Sequence, residues 1–390
     1  MQLDEKTRIF IEENQDSDPF ELLLQRHRYP EIDVSFAVRQ IEGRRKAKEK
    51  LPSWYALKNI FYPEKLALEQ SSSEKTALYK AQLVSGRTLA DLTGGFGVDT
   101  WAFSQRFATV FYVEQNEDLV RIAQHNFQML KADNIHTIVG DSLAWLKQPM
   151  DAVYLDPARR NPLKKAIALE DCQPNVLKII PSLFKHTNTI LLKTSPLLDI
   201  QHALRQLPSV AEIHVVSIEN ECKEVLFLLK KQQYQPISIH AVHFPKNHCS
   251  HHFVFTLEEE KNAHCSFTMP QKYLYEPNAS LLKAGAFKVI AERFDVCKLH
   301  VNSHLYTSEK LLPDFQGRIF EIEEVISFHK KTIEKELKLL QKANIAVRNF
   351  PMSVEQIRKL TKLEDGGEVY LFATTDFKNN KILVKCRKVV

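Results

Sequence analysis

The sequence predicts an α/β fold: a doubly wound, largely parallel sheet closing in one antiparallel hairpin, with a helical region before it and a small α+β domain after it. Three observations predict this. Five apolar runs between Thr88 and Lys193 are separated by stretches long enough for crossover helices, the spacing of βαβ units. Two further runs, Glu212-Ile-His-Val-Val-Ser and Glu224-Val-Leu-Phe-Leu-Leu, have only the polar segment Ile218-Glu-Asn-Glu-Cys-Lys223 between them. No crossover helix fits there, so this pair runs antiparallel. Past Met269-Pro270 the texture changes to short helices and strands.

Composition sets the frame for that reading. The chain has 390 residues, 44% hydrophobic and 26% charged, an ordinary globular balance with room for two or three domains. A formal net charge of +5 tolerates a nucleic-acid partner without demanding one. The six cysteines show neither a disulfide-framework spacing nor a CxxC pair, which is expected of reduced thiols. The N-terminal stretch is acidic and polar, unlike a signal peptide, and no apolar run is long enough to span a bilayer. The expectation is a soluble cytoplasmic protein with no membrane partner; the oligomeric state is not encoded.

In chain order, residues 1–75 read as helical, with apolar residues at mixed helical spacing punctuated by Pro30 and Pro52. The basic run Glu42-Gly-Arg-Arg-Lys-Ala-Lys-Glu-Lys50 is either a solvated, salt-bridged face or a phosphate-contacting patch. The five runs of the parallel sheet begin at Thr88, Thr109, His136, Ala152 and Thr189. Two more strand-like runs, at Ile237 and His252, extend or cap that sheet. After Tyr275-Glu-Pro-Asn278 the pattern predicts a strongly charged helix over about 321–343 and a strand at Ile345. A helix with capping-box spacing at Ser353-Val-Glu-Gln356 follows, then paired strands at Val369 and Ile382.

The chemistry-bearing residues gather at strand ends. Asp91-Leu-Thr-Gly-Gly-Phe-Gly97 follows the first strand and opens a helix; glycines serve where a backbone turns sharply or a ligand lies against it. By itself the loop also fits a plain strand-to-helix turn. Glu114 closes the second strand, where an acid can accept both hydroxyls of a ribose. The pair points to an adenosine-containing cofactor. Asp141, followed by Ser142, ends the third strand, where a carboxylate can accept an adenine amino group. Asp156 ends the fourth in Leu155-Asp-Pro-Ala-Arg-Arg160, at the carboxyl edge where open α/β sheets do their chemistry. Alone, Asp-Pro is a turn initiator; four acids at four successive strand ends are more than turns require.

This set resembles the class I, Rossmann-like, S-adenosylmethionine-dependent methyltransferases. Asp91 to Gly97 looks like their motif I, Glu114 like their ribose acid, Asp141 like their adenine-side acid and Asp156-Pro157 like their motif IV; the antiparallel hairpin fits their seventh strand. The segments Glu69-Gln-Ser-Ser-Ser-Glu-Lys-Thr-Ala77, Glu219-Asn-Glu-Cys-Lys-Glu224, Val347-Arg-Asn-Phe-Pro351 and Gly366-Gly-Glu-Val-Tyr-Leu-Phe372 are similar to a bacterial group within that class whose members end in a THUMP-like domain. The resemblance implies a seven-stranded methyltransferase sheet and four parts: a helical region over 1–75, the methyltransferase domain over 76–270, a small ferredoxin-like segment over 271–325 and a THUMP-like domain over 326–390. It implies S-adenosylmethionine bound by Asp91, Thr93, Gly94, Gly95, Gly97, Glu114, Gln115, Asp141 and Ser142. It also implies an acceptor site of Asp156, Pro157 and Arg159, with Arg160 and Lys193 on the substrate. THUMP domains accompany RNA-modifying enzymes, so RNA becomes the expected partner by analogy.

One departure bears on the acceptor. Enzymes that methylate exocyclic amines of bases usually follow the acid with Pro-Pro and an aromatic that stacks on the flipped base. Here Ala158 and Arg159 follow Pro157, so either another residue supplies the stacking surface or the acceptor is a different group. Arg159 and Arg160 could bind a phosphate, lie over a base, or pair with a neighbouring helix. Arg44, Arg45, Lys46, Lys385, Arg387 and Lys388 are candidate phosphate contacts. A small-molecule or protein substrate, and a non-catalytic RNA-binding module, stay open as alternatives. The stretch His243, His248, Cys249, His251, His252, His264, Cys265 matches no common metal spacing, and no metal is expected there.

Overall fold

The computed structural model describes residues 4–159, 168–232, 236–246 and 249–389. It divides into two compact units, 1–211 with 226–234, and 212–225 with 235–390.

The first unit begins with helices whose starts are set by acids. Asp4, Asp18 and Asp33 cap α1 (Glu5–Glu13), α2 (Pro19–Leu24) and α3 (Val34–Lys50), each carboxylate accepting from backbone N–H groups of the first turn. Pro19 stands at the start of α2, where no N–H is needed. Phe10, Ile11, Leu22, Val34, Ala37, Val38 and Ile41 form their shared core. Short helices α4 (Pro52–Tyr55) and α5 (Lys65–Gln70) lead to α6 (Glu74–Gln82), capped by Ser73.

The alternating elements then follow as β1 (Thr88–Asp91), α7 (Val98–Ser104), β2 (Thr109–Glu114), α8 (Glu117–Met129), β3 (Ile135–Val139), α9 (Ser142–Trp145), β4 (Ala152–Leu155), α10 (Val176–Leu183), β5 (Thr189–Thr194), α11 (Ile200–Gln206), β6 (Val210–Ile218) and β7 (Glu221–Lys230). Two more strands, β8 (Ser238–Phe244) and β9 (His251–Thr256), extend the sheet to nine in the order β9-β8-β6-β7-β5-β4-β1-β2-β3. The pairs β1·β2, β2·β3, β1·β4 and β4·β5 are parallel, as the crossover spacing requires. β4 is buried at every residue, as a strand covered on both faces should be. The turn between β6 and β7 is tighter than the polar segment suggested: only Glu219 and Asn220 intervene, both at positive φ (48° and 65°). That is the two-residue turn whose twist matches antiparallel neighbours. β8 runs parallel to β6 and β9 antiparallel to β8, so the runs at 237 and 252 extend the sheet.

After α12 (Leu257–Asn262), the second unit builds a seven-stranded sheet from β10 (Tyr273–Pro277), β11 (Cys297–Lys298), β12 (Tyr306–Ser308), β13 (Gly317–Ser327), β14 (Asn344–Arg348), β15 (Val369–Thr375) and β16 (Lys381–Lys388). Its order is β11-β12-β10-β13-β16-β15-β14. Helices α13 (Ala279–Ala284), α14 (Lys288–Phe294), α15 (Lys330–Glu336) and α16 (Val354–Thr361) accompany it. α16 starts in the expected capping box of Ser353 and Gln356.

The charged helix expected over 321–343 is not there. Residues 317–327 form β13, paired with β10 and β16, and only Lys330–Glu336 is helical. Along β13, Phe320, Ile322, Glu324 and Ile326 are the more buried positions and Glu321, Glu323 and Val325 the exposed ones. That is a period of two, which the run of glutamates disguised. Within this unit the buried Glu276 carboxylate binds two arginines, Arg318 (Nε at 2.7 Å) and Arg348 (2.5 Å), tying β10, β13 and β14 together.

Candidate cofactor and acceptor site

The four acids singled out from the sequence stand at the carboxyl ends of β1, β2, β3 and β4, but they do different work. Asp91 is buried, at 1% exposure. Its Oδ1 accepts from the Thr93 N–H (3.0 Å) and its Oδ2 from Thr100 Oγ1 (2.6 Å), so it folds the loop back onto α7. Burial pushes its carboxyl up to about 7, against the opposing pull of those two donors.

The loop's glycines are there for space and for backbone angle. A Cβ on Gly94 would lie 2.3 Å from the Tyr112 ring, and one on Gly97, at φ +88°, would lie 2.6 Å from Phe127. Gly95 is different. At φ +53° a Cβ there would meet nothing closer than the Thr93 carbonyl at 3.7 Å, so the backbone is open on that side. Glu114 fixes this open turn: its Oε2 accepts from the Gly95 N–H and its Oε1 from the Asn116 N–H, both at 2.9 Å. Tyr112 Oη donates to the Gly95 carbonyl at 2.6 Å. From the N-terminal helices, Trp54 packs on Phe96 of the loop with ring centroids 5.0 Å apart.

Asp141 caps α9, with Oδ1 accepting from the N–H groups of Leu143 and Ala144. Its Oδ2 accepts from Gln115 Nε2 at 3.3 Å, bringing the ends of β2 and β3 together, while Ser142 is buried in the first turn of α9. Glu114 is half-exposed and Asp141 exposed, and a carboxylate oxygen has two lone pairs, so both keep acceptor capacity toward a ligand. Glu114 beside the open Gly95 backbone, and Asp141 linked to the end of β2 through Gln115, are acceptors of the kind that the hydroxyls and amino group of an adenosine require.

Asp156 meets the loop directly. Its N–H donates to Thr93 Oγ1 at 2.7 Å, and its Oδ2 accepts from Lys193 Nζ, at the end of β5, at 2.5 Å. Asp156, the strand-end lysine Lys193 and the glycine loop therefore form one connected group. Pro157 is half-buried, and Ala158–Arg159 pairs antiparallel with Cys172–Gln173. Arg160 and the side chain of Arg159 lie outside the described residues.

Beneath this group is a polar cluster that the sequence reading missed. Lys80 of α6 is fully buried, with Nζ 2.7 Å from Ser72 Oγ and 3.1 Å from Asp99 Oδ1. Asp99 Oδ2 also accepts from Ser72 Oγ and Tyr154 Oη, both at 2.8 Å. Burial raises the Asp99 carboxyl, but Lys80, Lys193 and the two hydroxyls outweigh it, and the net shift is downward. The available signal was a lysine on the inward side of α6, among Thr76, Ala77, Tyr79 and Ala81. Ser72 belongs to this cluster, and its neighbour Ser73 caps α6.

Five of the six basic candidates are used inside the fold. Arg44 donates to the Leu57 carbonyl and lies over the Tyr55 ring; Arg45 donates to the carbonyls of Gln15 and Ser17; Lys46 pairs with Glu69. Lys385 and Arg387 share Glu323. Lys388 is exposed. In the histidine-rich stretch, His243 and His251 share one face of β8 and β9, with ring centroids 5.9 Å apart. His264 is exposed, and His248 lies outside the described residues.

Among the described residues no helix is long and apolar enough to cross a membrane. Residues 273–315 match the model of a ferredoxin-like domain family and residues 317–388 that of a THUMP domain-like family. No curated protein matches the chain. Among solved structures, a protein described as a "putative methyltransferase from Porphyromonas gingivalis W83" is 34% identical, with each chain covered in full and a TM-score of 0.87. A "putative RNA methyltransferase" from Pyrococcus horikoshii is 17% identical, covering 48% of this chain and all of its own, with a TM-score of 0.35. Identity of this level along the whole of both chains places the protein in the family of the P. gingivalis protein, a class I methyltransferase fold that ends in a ferredoxin-like and a THUMP-like domain.

Proposed function

We propose that this chain is an S-adenosylmethionine-dependent methyltransferase acting on a base of RNA, with Asp156 positioning the acceptor. The observation that carries the reading is the hydrogen bond from the Asp156 N–H to Thr93 Oγ1, which fixes an acceptor-side acid against the loop that would hold the methyl donor. Glu114 would take the ribose hydroxyls, Asp141, Ser142 and Gln115 the adenine side, and the open backbone at Gly95 the remainder of the cofactor. When bound, S-adenosylmethionine supplies an electrophilic methyl group.

The protein's own contribution is placement. Lys193 orients the Asp156 carboxylate, whose remaining lone pairs accept from an acceptor N–H, and the Pro157 carbonyl offers a second acceptor. Holding an acceptor in line in this way is worth about 7–11 kcal/mol in favourable cases. Arg159 and Arg160 would meet the phosphate or base of the substrate. The THUMP-like match supports RNA, and we assign 1–75, 76–270, 271–316 and 317–390 as the helical, methyltransferase, ferredoxin-like and THUMP-like parts, with the last boundary at 317, where the THUMP-like match begins, rather than at the expected 326.

The internal pairing of Arg44, Arg45, Lys46, Lys385 and Arg387 favours a second reading, a protein or small-molecule substrate. Calorimetric titration tests the cofactor: a folded sample that does not bind S-adenosylmethionine would sink the enzyme reading. Mass spectrometry of RNA nucleosides from cells with and without the gene tests the substrate, and an unchanged nucleoside profile would favour the second reading. Asp156→Ala is expected to abolish methyl transfer while cofactor affinity stays within a few-fold; retained turnover would show that another residue places the acceptor.

A further inference from the structure

A separate group of ligating side chains lies on one face of β6 and β8, within the second unit. Glu212 and His214 are two residues apart on β6, so both project from the same face. β8 runs parallel alongside with His240 in register with His214, and the two imidazoles stack at 4.3 Å between centroids, 22° from parallel. Glu212 Oε2 is 3.0 Å from His214 Nε2 and 3.8 Å from His240 Nε2, and one ligating atom from each residue lies within 4.8 Å of the other two. Ser238 Oγ is 3.0 Å from His240 Nε2.

A hydrogen bond accounts for Glu212 and His214. Ser238 Oγ meets His240 Nε2, yet the same nitrogen stands 3.8 Å from the Glu212 carboxylate, so a second imidazole from the neighbouring strand shares that carboxylate. Ligands at 2.0–2.1 Å from a tetrahedral zinc ion stand about 3.3 Å apart, and the two separations from Glu212 bracket that value. Two imidazoles and a carboxylate are a zinc-type donor set, and sets of three protein ligands leave a position for water or a hydroxyl such as that of Ser238.

We propose that Glu212, His214 and His240 bind a divalent transition metal, Zn²⁺ foremost, as a clip joining β8 to β6. Histidine spacing along the chain does not reveal the site, because its ligands come from registered strands and one of them is a glutamate far from the histidine-rich stretch. The proposal is independent of the methyltransferase reading.

The experiment uses the full chain, free of any affinity tag and stripped with chelator. It is titrated with Zn²⁺ by calorimetry and with Co²⁺ by visible absorption. One equivalent is expected to bind, and His240→Ala and Glu212→Gln are each expected to weaken binding by more than about tenfold, the low end of what even outer-shell changes produce. Glu212→Gln keeps the size of the side chain, and circular dichroism checks that both variants fold. Zn²⁺ at 100 times its Kd raises the folding equilibrium constant about 100-fold, seen as a higher Tm that His240→Ala removes. Absence of binding at tens of micromolar metal would overturn the proposal. So would binding that survives both variants, or binding that is lost instead in His264→Ala or Cys249→Ser.

Discussion

Lys80→Met is the perturbation that tests most directly how the floor of the site is held. Lys80 is fully buried and its ammonium stands 3.1 Å from Asp99 Oδ1. At an effective dielectric near 20 that separation corresponds to roughly 5 kcal/mol of attraction, offset by the cost of taking both ions out of water. Removing only the lysine leaves that cost in place on Asp99, with the Ser72 and Tyr154 hydroxyls as donors. The expected loss is about 3–5 kcal/mol, the usual cost of breaking a buried pair. Asp99→Asn in the Lys80→Met background is expected to cost less than the sum of the single changes, by about 0.5–3 kcal/mol of coupling.

Equilibrium urea unfolding at pH 7 followed by tryptophan fluorescence measures all three. pH gives a second check. Asp99 is held below its ordinary value in the folded protein, so its contribution is present above about pH 4 and is lost as pH falls through the folded value. Without Lys80 the burial of Asp99 is less opposed, and its carboxyl takes up a proton more readily. The deficit of Lys80→Met is therefore expected to shrink on acidification. A loss below about 1 kcal/mol, strict additivity in the cycle, or a deficit that grows toward acid would each refute the reasoning.

Three other outcomes follow from the same structure. Gly94→Ala drives a Cβ into the buried Tyr112 ring, with an expected cost of about 1–3 kcal/mol of stability and weakened cofactor binding, measured by thermal unfolding and calorimetry. Asp91 titrates at about 7 when folded, against an ordinary value of 3.8, so the folded state holds a proton that the unfolded chain releases. Stability should fall as pH rises between those values, and Asp91→Asn should flatten that slope in urea midpoints, its amide oxygen still accepting from the Thr93 N–H while the Thr100 hydroxyl turns from donor to acceptor. Glu276→Gln leaves Arg318 and Arg348 without their shared carboxylate, but both guanidiniums reach solvent, so the expected cost is about 1–3 kcal/mol, read as a lower urea midpoint.

What the sequence determined by itself was whatever depends on local order along the chain. Crossover spacing gave the parallel strands, a loop too short for a helix gave the antiparallel turn at Glu219-Asn220, and the Ser353 capping box gave the start of α16. The acids at strand ends were legible for the same reason: following a strand directly puts a residue at the sheet's carboxyl edge. Tertiary structure decided which groups meet. Only packing shows that Asp91 serves the loop while Asp156 joins Thr93 and Lys193, or that Lys80 from one helix neutralises Asp99 on another. It decided that the glutamate-rich run from Glu321 is a strand, because β10 and β16 satisfy both of its edges. It also decided that Arg44, Arg45 and Lys46 bind their own chain, and that Glu212, His214 and His240 converge from two strands. Register and packing bring together residues far apart in sequence, and no local pattern of charge or hydrophobicity encodes those meetings.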